Sequence, residues 1–406
     1  TNDNYLKIHN LKQSTPIIAD DSVLTSDLTV NKRFDKKTRL RTSFTTYEDL
    51  SIKRSSDRYS YTLPHFNFKK DIDINKSYNG AFTFQSAGYQ RNYETNKYQA
   101  QFNNDFNFNS YDFVSDGGIV NDYDLFLKNY NNYIDTPSST TSKHDLYSMI
   151  SLKSKLPLKK ELENSTNYLE PKIQFLFSPT KGRDISNENI LLNYDNMFSY
   201  NRIGQSDMFE DGRSLSIGLE FKKQDLADED VFSFNIGNVI KDKKNNKLPK
   251  LSTLDQSRSD IVGNAAYKIN ENLKLGYGFS YDRDLEYSNY DAISTEISVN
   301  NFVTTFNYTT YNHDLGDSET ISNNTKFNFL NDHYILFNTS KNLLTDFTNY
   351  YNLTYEYRTD CLSAAFYYNK TFFSNDDLLP EESLSFLIKI IPFAEIRGTA
   401  NTMFEN

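Results

Sequence analysis

Tryptophan is missing from this 406-residue chain, and cysteine occurs once, at Cys361. A lone cysteine cannot close an internal disulfide, so it is a free thiol or one half of a bond whose other half lies elsewhere. Long hydrophobic runs are missing too. Nothing approaches the roughly 18 uninterrupted apolar residues of a membrane helix, which excludes a helical membrane protein. Positive charge is in deficit, with 44 Lys and Arg against 54 Asp and Glu and a net charge of -10. No basic patch with interleaved aromatics occurs, so nucleic acid is not an expected partner. The histidines His9, His65, His144, His313 and His333 are scattered, and none sits in a nucleophile elbow or at a metal-ligand spacing. No cofactor, metal or enzymatic activity is expected. A triad assembled only in space would leave no mark on spacing, so a barrel hydrolase stays open as an alternative.

What is abundant is Tyr (30) and Phe (31), an aromatic load suited to strands and interfacial girdles. Mean hydropathy is low, -0.69. That does not exclude a transmembrane barrel, because half of each strand faces water and the signal is alternation in segments of about ten residues. On composition alone a soluble β-solenoid or fibre protein is an equal alternative. The stretch Leu169 to Phe221 tips the balance. In Pro171 to Ser178, Ile173, Phe175 and Phe177 alternate with Lys172, Gln174 and Ser178, and only Leu176 breaks the pattern. In Ser214 to Phe221, Leu215, Ile217, Leu219 and Phe221 alternate with Ser214, Ser216, Gly218 and Glu220. Period two means a strand between two environments, and Ser, Gly and Glu suit a water-filled interior when the other face meets lipid. Between these strands runs a polar, turn-rich connection holding Asn187, Glu188, Asp195, Asn201, Arg202, Gly204, Asp207 and Asp211.

The same period recurs along the chain. Ser22 to Tyr47 reads as a hairpin turning at Phe34 to Lys37, and Pro64 should mark a strand start or an edge-like position, because it cannot donate to a ladder. Phe66 with Phe68, Phe82 with Phe84, and Phe102, Phe106 and Phe108 give further strands. Residues 110–150 are weaker, with Gly117 and Gly118 as a turn and Pro137 to Ser142 as a loop. Phe232, Phe234 and Ile236 make a strand, and Lys241 to Lys247 reads as a solvated loop. Leu273, Leu275, Tyr277, Phe279 and Tyr281 alternate with Lys274, Gly276, Gly278, Ser280 and Asp282, the length a tilted strand needs to cross a bilayer, about 9 to 11 residues. Asn300 with Asn301, and Asn331 with Asp332, are tight turns. Tyr351 to Tyr357 and Leu362 to Tyr368 follow, and Leu384, Phe386, Ile388 and Ile390 read as the last strand. The fold class is all-β, a large antiparallel transmembrane β-barrel of roughly 18 to 20 strands in this chain and incomplete, with residues 1–406 as one domain.

Several short motifs carry a resemblance: Asp57, Arg58 with Leu63, Pro64; Leu169, Glu170, Pro171 through Ser178, Pro179, then Asn187, Glu188, Asn201, Arg202, Gly204, Glu210, Gly212, Arg213; Ser257 to Asp260 with Val262, Gly263; and Tyr357, Arg358, Asp360, Cys361, Leu362 with the closing Asp376, Asp377, Leu379, Pro380, Ser383. In this order the chain resembles the C-terminal barrel of the LPS-assembly protein LptD family, the outer-membrane lipopolysaccharide translocon, from about residue 20 onward.

The resemblance implies a Gram-negative cell outer membrane and lipopolysaccharide as cargo. It implies a plug lipoprotein of the LptE type in the lumen and a periplasmic Lpt bridge reached through an N-terminal jellyroll domain. That domain and the opening strands are not evident here, so the chain is expected to be the later part of the barrel domain. It also implies that Cys361 bonds to the N-terminal domain, in an oxidising compartment. The strand with Leu384, Phe386, Ile388 and Ile390 would form one side of a lateral gate, while Lys274, Ser280, Asp282 and Lys389 would line a hydrated lumen. A passive porin or a substrate-importing barrel is the other alternative, though no constricting loop or N-terminal plug is recognisable.

Overall fold

The computed structural model describes residues 23–73, 79–204, 210–312, 317–330, 332–372, 381–390 and 394–402. His9, Asp207, His313, Asn331, Asp376, Asp377, Leu379 and Pro380 lie outside the described residues.

Alternation becomes strands throughout. The first are β1 (Val23–Arg33), β2 (Thr38–Asp49), β3 (Tyr59–Asp73), β4 (Gly80–Tyr93), β5 (Lys97–Ser110) and β6 (Phe113–Val114). Then come β7 (Val120–Thr136), β8 (Ser139–Lys155), β9 (Leu158–Leu162), β10 (Ser165–Ser178), β11 (Gly212–Gln224) and β12 (Asp230–Lys241). They are followed by β13 (Ile261–Asn270), β14 (Leu273–Tyr281), β15 (Ser288–Val299), β16 (Phe302–Tyr311) and β17 (Ser318–Leu330). The last are β18 (His333–Asn342), β19 (Phe347–Arg358), β20 (Leu362–Thr371), β21 (Glu381–Ile390) and β22 (Ala394–Thr402). Single helical turns occur at α1 (Ser55–Arg58) and α2 (Tyr194–Met197).

Among the described residues all pair antiparallel in one 22-stranded sheet, of which β6 only prolongs β5 along β7 and β9 only prolongs β8 along β10, leaving 20 lines. The sheet is an uninterrupted meander. Among the described residues β1 pairs with β2 alone and β22 with β21 alone, so no ladder joins the two edges.

Burial is inverted relative to a soluble protein, in which polar residues stay outside. Gln174 and Ser216 are 0% exposed and Ser151 1%, whereas Leu152 is 49% exposed, Ile217 43% and Phe366 53%. An apolar outer face and a polar, covered inner face are what a barrel in lipid requires, and they rule out the soluble solenoid. The turns are also unequal. One end carries Glu271-Asn272, Asn300-Asn301 and 359–361, and the other carries the connections 179–211 and 242–260.

Several sequence expectations change. Residues 110–150, read as weak, hold the longest strands, β7 and β8. Their alternation is blurred because Phe126, Tyr130, Tyr147 and Met149 point inward and are buried there. Pro137 to Ser142 is not a loop, since β8 begins at Ser139. Pro64 lies inside β3, between β2 and β4, where both ladders shift register, between Ser43 and Thr45 and between Thr62 and His65. A bulge frees the position from donating, which lets an interior strand hold proline. The strand with Leu384, Phe386, Ile388 and Ile390 is not the last. β22 follows it, paired from Ile390↔Ala394 to Glu382↔Thr402. Its apolar positions are mostly Ala and Gly, too small to give a hydrophobic beat.

Candidate functional site

Connections 179–211 and 242–260 leave the same end of the sheet, and their described residues fold onto its inner face as one body. Ile185, Leu192, Tyr194, Met197 and Ile203 from the first meet Leu248 and Leu254 from the second, closed below by Val239 of β12 and Val262 of β13. The Ile185 N–H donates to the Lys247 carbonyl at 2.8 Å, stitching the two together. A small core inside a barrel explains why these segments are turn-rich yet carry apolar residues.

α2 aims this body at the wall. Asn193 and Asn196 form a reciprocal cap, each side-chain oxygen accepting the other's backbone N–H at 2.9 Å. The wall makes room with glycines: a Cβ at Gly218 would stand 2.7 Å from the Phe198 ring, and one at Gly237 2.7 Å from the Met197 methyl. On the neighbouring wall Phe126, Tyr130, Tyr147, Met149 and Leu176 form a second cluster, with Tyr200 of the connection against it. Tyr200 and Phe126 have ring centroids 5.6 Å apart. Leu176, which breaks the alternation of β10, is therefore where the wall meets this body.

A buried ionic triad ties the body down. Arg202 Nε lies 3.1 Å from Glu210 Oε2, and Lys241 Nζ donates to Glu210 Oε1 at 2.7 Å, all with side chains at most 3% exposed. Arg202 also donates to the hydroxyls of Ser214 and Ser216, and Ser216 in turn donates to the Met197 carbonyl at 3.1 Å. Burial works to raise the Glu210 pKa, but Arg202 and then Lys241 more than reverse it and hold the carboxyl below the usual glutamate value. In the sequence Arg202 and Glu210 stand only as motif letters, and Lys241 reads as part of a solvated loop. Lys241 is buried because its partner, 31 residues away, sits beneath the folded connection.

Elsewhere the inner wall carries ion pairs. Lys128 pairs with Asp105 at 2.8 Å, Lys153 with Asp124 at 2.6 Å and Lys172 with Glu170 at 3.1 Å. Between β13 and β16 it is smooth, with Ala266, Gly276, Gly278, Ala292 and Ser294 facing a shallow depression.

The predicted site residues do not converge. Lys274 faces inward on β14 and pairs with Glu296 at 2.9 Å. Ser280 is buried and donates to Asp260 at 2.9 Å, under the second connection rather than in open lumen. Asp282 lies beyond β14 in a turn, where the N–H groups of Tyr287, Asp284 and Glu286 hold its carboxylate below the usual range. It is turn scaffold, not lining. Lys389 is exposed on β21 opposite Ser363. Leu384, Phe386, Ile388 and Ile390 share the exposed outer face of β21. Cys361 is free and exposed in the turn between β19 and β20, at the end with short turns. The described histidines serve locally: His144 contacts Asn131 at 2.9 Å and His333 the Tyr355 hydroxyl at 2.8 Å. Among the described residues no group of His, Cys, Asp and Glu could hold a metal.

The model of the family LptD, LPS transport system D, matches residues 3–362. The chain belongs to the LptD family. It is thus an outer-membrane β-barrel of a lipopolysaccharide-transport family. No curated protein sequence matches it. Among solved structures it is similar to the siderophore receptor PirA of Acinetobacter baumannii, with a TM-score of 0.50 and 6% identity over 93% of this chain and 73% of that one. The ferric enterobactin receptor PfeA of Pseudomonas aeruginosa, in mutant form, gives a TM-score of 0.49 at 9% identity over 93% and 71%. At these identities the likeness concerns the fold alone.

Proposed function

We propose that this LptD-family chain inserts lipopolysaccharide into the outer leaflet, its sugars passing through the hydrated bore while its acyl chains leave sideways between strand edges. The carrying observation is the inverted wall, apolar outside and polar inside, with a folded body seated on the inner face. A charged saccharide cannot cross hydrocarbon and acyl chains cannot cross water, so the cargo needs both faces at once. Long loops usually face outward and short turns the periplasm. On that orientation the Arg202-Glu210-Lys241 body closes the bore from outside, and Cys361 faces the periplasm, where a bond to the N-terminal domain and docking to the periplasmic Lpt bridge become reachable. An LptE-type lipoprotein would occupy the lumen from the same side.

Backbone groups left unpaired in lipid each cost several kcal/mol, so β1 and β22 need partners, each other or further strands of the barrel. We place the lateral gate at the β22 edge, with the outer residues of β21 as its second row. Cysteines introduced to bond β22 to its neighbour across the seam in the full-length protein should stop delivery of lipopolysaccharide to the surface, and reductant should restore it. Undiminished delivery with the bond formed would remove the gate.

A further inference from the structure

Beneath the tip of the folded connection a cavity of about 680 Å³ remains between α2 and the wall of β10, β11 and β12. Its roof is Tyr194, Asp195 and Phe198, and its floor includes Tyr168, Glu170 and Glu220. It extends along the wall toward Tyr168, Lys222 and Asp230, which lie nearest the end with short turns.

Its chemistry is particular. The carboxylates of Glu170, Asp195, Glu220 and Asp230 outnumber the ammonium groups of Lys172 and Lys222. Lys172 is spent on Glu170 at 3.1 Å and on Glu220, and Lys222 lies 3.6 Å from Asp230. Asp195, exposed at the roof, accepts weakly from the Asn264 amide at 3.5 Å. The buried Tyr194 hydroxyl lies beside Glu220 without completing a hydrogen bond of normal geometry among the described residues. Aromatic faces offer apolar area to the C–H side of a sugar ring, and ionised carboxylates are strong acceptors for hydroxyl donors. The excess of negative charge works against phosphate.

We propose that this cavity is a saccharide site, taking an uncharged or amine-bearing sugar of the cargo through its hydroxyl groups and excluding its phosphates. The proposal rests on the transport reading above and deepens it. A sugar arriving from the short-turn end meets the underside of the folded connection first.

No tryptophan occurs among these 406 residues, so Tyr168→Trp introduces an indole at the floor of the cavity whose signal is read against the unsubstituted protein. The probe is lipid-free core oligosaccharide, with inorganic phosphate as comparison. Saturable change in emission with oligosaccharide, none with phosphate, and a half-saturation raised at least tenfold by Asp195→Ala are the expected results. Calorimetric titration of the unsubstituted protein serves as the second measurement. No saturable binding by either method to folded barrel, or equal competition by phosphate, overturns the site. Surface delivery in cells separates the two readings: absent binding with normal delivery removes the site alone, whereas undiminished delivery with a bonded seam removes the transport route.

Discussion

Gly218 and Gly237 face each other across β11 and β12, and the space left by their missing side chains is filled by Phe198 and Met197 from the connection above. The wall and the closing body are thus fitted at one cross-strand pair. Gly218→Ala should push the Phe198 ring away at a cost of about 1–3 kcal/mol, the usual range for overpacking. Single-channel conductance in planar bilayers should rise several-fold, while heat-modifiable mobility on gels stays that of a folded barrel. Unchanged conductance would mean that the connection is not what closes the bore.

The triad makes a second prediction. Glu210→Ala leaves Arg202 and Lys241 buried without their carboxylate, and removing one partner of a buried ion pair costs about 3–5 kcal/mol. The strands keep their ladders, so the loss should appear as protease cleavage within 179–211 and as leak, not as an unfolded barrel. The pH dependence has a definite sign. A carboxyl whose folded pKa is depressed contributes stability that is present above its unfolded value and lost as pH falls through the folded one. Conductance should stay flat from about pH 8 to 5 and climb only below the ordinary glutamate value, about 4.3. A rise already at pH 6 would point to another group.

Cys361 allows a topological test. It is exposed in a turn outside the strands, so a membrane-impermeant maleimide should label it from the short-turn side only. Within the full-length protein it should resist labelling until reductant is added, and Cys361→Ser should abolish the corresponding shift on non-reducing gels. Labelling without reductant would show the thiol to be unbonded.

What could be read from the residues divides along physical lines. β10, β11 and β14 were legible because one face meets lipid and the other is polar or small, so the period survives in the letters. β7 and β8 were not, because Phe126 and Met149 lie under Tyr200 and put apolar residues among the polar ones of the inner face. β22 escaped because Ala and Gly carry too little hydrophobicity to mark a period. The closing body was half legible. Its motifs stood out, and Leu176 stood out as an exception, but neither says that the connection turns inward. The contact between Glu210 and Lys241 depends on two connections meeting in space, which no local pattern encodes.

The outer face of β21 gives the last prediction. Phe386 pairs directly with Phe366, both are exposed on the apolar side, and each lies near the middle of its strand. If that side meets acyl chains, Phe386→Arg places a guanidinium near the bilayer midplane and should cost about 2–4 kcal/mol. Ser294→Arg, on the opposite face where Ala266 and Gly276 leave room, should cost less than half as much, because its charge reaches water. Urea titration of folding into lipid vesicles reads both values on one scale. The ordering matters more than either size. A larger penalty at Ser294 than at Phe386 would mean that the polar side is the dry one, and with it would go the hydrated bore on which the movement of sugar depends.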